Sequence, residues 1–77
     1  MKRRLVLIKW VDSHRSDGWH TEKPATKPLR CTSVGWLMHD GKEAKTIAPH
    51  ISDEKDPQRC GEMTIPTQAI VSVRELN

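Results

Sequence analysis

The apolar residues of this chain fall in short runs with a period of two, and turn-forming residues separate the runs. No stretch of ten or more residues carries the three-to-four spacing of an amphipathic helix. A sheet is therefore the element that can bury these side chains. Leu5 to Val11 reads as the first strand, with Val6, Ile8 and Trp10 on one face and Leu5, Leu7 and Val11 on the other. Leu29 to Asp40 is the second, with Val34, Trp36 and Met38 sharing a face and Gly35 marking a bend or bulge. Asp40-Gly41 predicts a two-residue type I′ hairpin into a third strand, Ala44 to Ala48, which stops at Pro49. Gly61 to Ile65 and Ile70 to Leu76 complete the set, joined by a single tight turn over Pro66-Thr67-Gln68-Ala69.

Two polar excursions interrupt this pattern. Asp12 to Lys27, closed by Pro28, is a sixteen-residue connection without periodicity. That length is uncommon in so small a domain, and such loops often carry function. Ile51 to Cys60 forms a second polar loop, with Asp53, Glu54 and Asp56 in a solvated tip.

At 77 residues the chain forms one domain, residues 1–77, and its small core makes self-association a possibility. The longest apolar run, Leu5 to Ile8, is too short for a membrane span or a signal-peptide core, so a cytoplasmic location is expected. Cys31 and Cys60 suit a reducing compartment, although both stand near strand starts and could meet. The net charge of +3 is uneven: residues 1–30 hold eight Lys or Arg against three acids, and residues 31–77 hold five against seven.

The segment Met63-Thr64-Ile65-Pro66-Thr67-Gln68-Ala69-Ile70-Val71-Ser72-Val73 resembles the strand, one-turn 3-10 helix and strand that close SH3-like and Sm-like small barrels. This resemblance implies an all-β, five-stranded SH3-like barrel with a long first loop and a one-turn 3-10 link before the last strand. The chain is also similar to small uncharacterised proteins of tailed bacteriophages and prophages, through Ser33-Val34-Gly35-Trp36-Leu37, Ile47-Ala48-Pro49-His50-Ile51 and Met63-Thr64-Ile65-Pro66. That likeness implies a phage or prophage origin and a bacterial host cytoplasm. Tyr and Phe are absent, so the aromatic floor of peptide-binding SH3 domains is missing.

Catalytic and metal motifs are also missing from the sequence. Asp12-Ser13-His14 holds the residue types of a hydrolytic triad, but adjacent positions cannot form the relay. His14, His20, His39 and His50 show no close-spaced ligand pair, and no phosphate-cradling glycine loop is present. No cofactor, metal or enzymatic activity is implied. Trp10 and Trp36 belong to strands and read as core. Trp19 lies in the long loop, either as an anchor against the barrel or as a contact residue for a partner. Around it stand His14, Arg15, His20 and Lys23, and these five residues form the candidate binding site. The first reading is a non-catalytic module for protein–protein interaction. The alternative is a nucleic-acid-binding barrel, as a monomer or an oligomer, using Arg3, Arg4, Lys9, Arg15, Lys23, Lys27 and Arg30. A small-ligand-binding protein is a third reading with no motif behind it.

Overall fold

A computed structural model describes residues 3–77, so Met1 and Lys2 of the basic lead-in lie outside the described residues. The chain folds as β1 (Leu5–Asp12), β2 (Leu29–Asp40), β3 (Ala44–Ala48), β4 (His50–Ile51), β5 (Arg59–Cys60), β6 (Met63–Pro66), a 3-10 turn (Thr67–Ala69) and β7 (Ile70–Glu75). Five strands make one antiparallel sheet in the order β6-β3-β2-β1-β7, and β4 pairs with β5 as a separate ribbon.

Alternation in β1 decides what the sheet encloses. Val6 and Ile8 are fully buried and meet Ile47 of β3 and Ile65 of β6, with Trp10, Leu37, Met63, Ala69 and Ile70 packed around them. The opposite face of β1 presents Leu5, Leu7, Lys9 and Val11 beside Trp36, Val34, Thr32 and Arg30 of β2. Trp36 is half-buried on that outward face and stands outside the core cluster. Trp10 does pack on the core, and its indole N–H donates to Ser33 Oγ at 3.0 Å. Among the described residues only five hydrophobic residues are buried, which is the thin margin expected of so short a chain.

The turn chemistry differs from expectation. Asp40 pairs with Lys45, and Gly41 N–H donates to Ala44 O at 3.1 Å. The reversal therefore uses Gly41, Lys42 and Glu43. None of them has positive φ, so a type I′ turn is ruled out. A bulge between Leu37 and His39 shifts the register and lengthens the connection. Glu43 O accepts from Thr67 N–H at 2.9 Å, which ties this hairpin to the 3-10 turn.

That 3-10 turn before the last strand forms as expected, but a closed barrel does not. The three residues Thr67–Ala69 join the two edge strands of the sheet. Among the described residues, no ladder pairs β6 with β7. Pro66, at the end of β6, has no N–H to offer one. Charged groups clip the sheet near its termini instead. Arg4 pairs with Glu75 and, at 3.3 Å, with Asp40, which also holds Lys45. The Lys45 ammonium, with help from Arg4, holds the Asp40 carboxyl below its ordinary range, while the Glu75 carboxylate raises Arg4.

The expected loop over Ile51 to Cys60 is a short hairpin. Pairs His50–Cys60 and Ile51–Arg59 lead to Ser52 N–H on Gln58 O at 2.9 Å, and Gln58 N–H returns to Ser52 Oγ at 2.8 Å. Only the tip around Asp53–Pro57 is free of this ladder. Gly61, expected inside a strand, has φ of +77° and turns the chain from β5 into β6. Both cysteines are free thiols.

Candidate functional site

The ladder between β1 and β2 ends at the pair Asp12–Leu29, and residues 13–28 leave the sheet there as an arm. Nothing in the sequence of the arm gives it a reason to fold back. It has prolines at 24 and 28, a glycine at 18 and only one large apolar side chain, Trp19. Every residue of it is exposed. The molecule measures 55 × 23 × 21 Å with a radius of gyration of 15.8 Å. A compact domain of this length would have a radius of about 11–12 Å.

Local bonds shape the arm from within. Asp12 Oδ1 accepts from Ser13 N–H at 2.7 Å, so the acid of the Asp-Ser-His sequence serves a turn. Arg15 Nε donates to Asp17 Oδ1 at 2.9 Å. Gly18 follows with φ of +84°, a left-handed conformation that β-carbon-bearing residues rarely adopt. It directs the chain into Trp19, whose relative exposure of 104% means that the indole touches nothing. The anchoring role for Trp19 is thereby removed. Trp10 and Trp36 each rest on strand neighbours, and Trp19 stands alone among the tryptophans.

His14, His20 and Lys23 come together around an open hollow of about 410 Å³, which Asp17 and Glu22 also line. Arg15 turns to Asp17. The structure thus gathers three of the five candidate residues around one concavity and leaves Trp19 projecting. Asp17 and Glu22 balance two of the three cations of residues 13–28 (Arg15, Lys23 and Lys27). The surface is mixed in charge with one large apolar projection. Among the described residues, no group of three or more metal-ligating side chains converges.

The basic residues grouped in the sequence are dispersed in space. Arg3 pairs with Asp53 at 3.8 Å, Arg4 with Glu75 and Asp40, and Arg15 with Asp17. Lys9 and Arg30 instead lie on the outward face of the sheet, where β7 adds Arg74. Sequence reasoning omitted Arg74, because its place beside β1 depends on a strand pairing more than sixty residues distant. No helix among the described residues is long and apolar enough to cross a membrane. Comparison with known proteins finds no matching family model, no matching curated protein and no matching solved structure.

Proposed function

We propose that this chain is a non-catalytic interaction module whose β1–β2 arm, led by Trp19, inserts into an apolar cleft of a partner protein. The observation that carries the reading is an indole with no contact of its own, set on a sixteen-residue arm that projects from the small sheet. Leaving a Trp in water forgoes a few kcal/mol of apolar burial. A partner pocket can recover that energy, and Trp is among the residues that dominate binding hot spots. The near-balanced charges of the arm make affinity rest on apolar burial more than on Coulomb attraction, which disfavours a nucleic acid as the arm's ligand. The strand order β6-β3-β2-β1-β7 and the 3-10 link support an SH3-like reading of the scaffold. The likeness to phage and prophage proteins supports a partner in a bacterial host cytoplasm.

Affinity capture from bacterial lysate, with identification by mass spectrometry, tests this against a Trp19→Ala control. A true partner loses at least about 2 kcal/mol, or roughly thirty-fold in affinity, on that change. Its binding should persist in high salt. Recovery of the same proteins by wild type and Trp19→Ala would overturn the reading.

A further inference from the structure

We infer a second binding surface, independent of the arm: the outward face of β2-β1-β7, which takes the backbone of a single-stranded nucleic acid. The register places Lys9 between Thr32 of β2 and Ser72 of β7. Arg30 lies beside Val11, toward one end of β1, and Arg74 lies beside Leu7, toward the other. Arg74, Lys9 and Arg30 therefore form a straight diagonal across three strands. Diagonal neighbours in a sheet stand roughly 7–8 Å apart. All three side chains are exposed, and none is in an ion pair among the described residues.

No carboxylate of these three strands belongs to this face. By register Asp12, Asp40 and Glu75 lie with the core-facing set, Asp40 because the bulge in β2 sets it opposite Lys45, and Arg4 holds both Asp40 and Glu75. Lys9 Nζ lies 3.3 Å from Thr32 Oγ1, so a neutral hydroxyl is its near neighbour. Ser72 supplies a second hydroxyl on the other side. Two guanidiniums and an ammonium in line, with a hydroxyl on each side of the ammonium, match a ligand that carries an anion at every repeat.

Along the diagonal the apolar residues of the face are aliphatic. Lys9 pairs with Ser72 and Trp10 with Ile70, so Val71 is the extra residue of a bulge, and it is exposed. With Val11, Lys9, Arg30 and Thr32 it borders a hollow of about 150 Å³, which Trp10 and Cys31 also line. A sugar or base edge can rest there while the cations hold phosphates. The aromatic these strands place on this face, Trp36, is half-buried and lies opposite Leu5, off the diagonal, so recognition follows the phosphates and is independent of base sequence. The major groove of a duplex admits a two-stranded ribbon, and a face of three strands is broader than that, whereas a flexible single strand can lie across it.

Fluorescence anisotropy with a labelled oligothymidylate of roughly fifteen nucleotides tests the inference. Three phosphate contacts give a slope of about −2 for log affinity against log salt, or about a sixteen-fold loss between 50 and 200 mM. Lys9→Glu and Arg74→Glu should each abolish measurable binding at the higher salt, and Lys9→Gln should weaken it less. Trp19→Ala and Lys23→Glu, both in the arm, should leave it unchanged. Circular dichroism of each variant separates lost binding from lost fold. The inference is overturned by no anisotropy change at low salt or by a slope near zero. Equal loss in Lys23→Glu, tighter binding of the matched duplex, or tighter binding of polyglutamate also overturns it.

Discussion

The sheet and the arm leave from the same pair of residues, Asp12 and Leu29, and solve opposite problems. On the sheet side, β1 alternates apolar residues so regularly that two neighbours bury their side chains completely. Its backbone pairs with β2 along its whole length and with β7 from Val6 to Trp10. On the arm side, sixteen residues run without one buried side chain. Conformational order in the sheet is offset by apolar burial. In the arm only short bonds such as Arg15–Asp17 oppose the entropy of the chain. The difference teaches that the sheet's stability and the arm's recognition are separable in this molecule: changes to one should hardly register in the other.

The largest test of that separation compares two apolar truncations. Ile8 is fully buried in the core cluster, whereas Trp19 is fully exposed. Ile8→Ala should lower the free energy of unfolding by about 2–5 kcal/mol. That is a large share of the roughly 4–12 kcal/mol expected for a domain of this length. Trp19→Ala removes a larger side chain and should change stability by less than about 0.5 kcal/mol. Urea denaturation of both variants checks the pair. A comparable loss from Trp19→Ala would mean that the arm packs on the sheet in solution.

How far this division was legible follows from the kind of signal each part carries. The long strands β1, β2 and β3 announce themselves through period-two apolar residues, and Pro66 marks the link to β7. The two-residue strands β4 and β5 have no room for a period, so His50–Ile51 and Arg59–Cys60 read as loop. The reversal at Asp40-Gly41 was legible as a turn but not by type, because the bulge at Leu37–His39 resets the register. The open gap between β6 and β7 depends on distant geometry that no local pattern encodes. In the candidate site, the polar composition of residues 13–28 pointed to an exposed loop. Whether Trp19 would fold back onto the sheet depended on the whole surface around it, and the outward diagonal of Lys9, Arg30 and Arg74 required the strand order.

Two glycines sharpen the comparison at lower energy. Gly61 and Gly18 both have positive φ, +77° and +84°. A Cβ at Gly61 would stand 3.0 Å from Pro49 Cγ, while one at Gly18 would meet nothing within 4 Å. Gly61→Ala adds backbone strain to a contact that cannot easily yield, and should cost about 1–2 kcal/mol. Gly18→Ala meets the same intrinsic preference, but the unpacked arm can adopt another conformation. Its effect on thermal unfolding should be close to zero. A loss at Gly18 equal to that at Gly61 would show the arm to be held as firmly as the sheet.

The smallest expected effect comes from the charged clip on the sheet, and its pH dependence has a definite sign. Lys45, and secondarily Arg4, lower the Asp40 carboxyl below its unfolded value near 3.8. A group depressed in the folded state contributes stability above its unfolded pKa and loses it as pH falls through the folded one. The contribution is therefore complete near neutrality and fades below about pH 4. The Asp40 side chain keeps 45% of its exposure, so solvent screening holds the effect under about 1 kcal/mol. Asp40→Asn should lower stability slightly at pH 7, and the difference from wild type should vanish near pH 2. The arm's own ion pair, Arg15–Asp17, is far more exposed and joins residues that no strand holds together. Asp17→Asn should give no measurable change at either pH. Equal responses at Asp40 and Asp17 would show that neither ion pair depends on the scaffold that holds it, which would dissolve the distinction between the two regions.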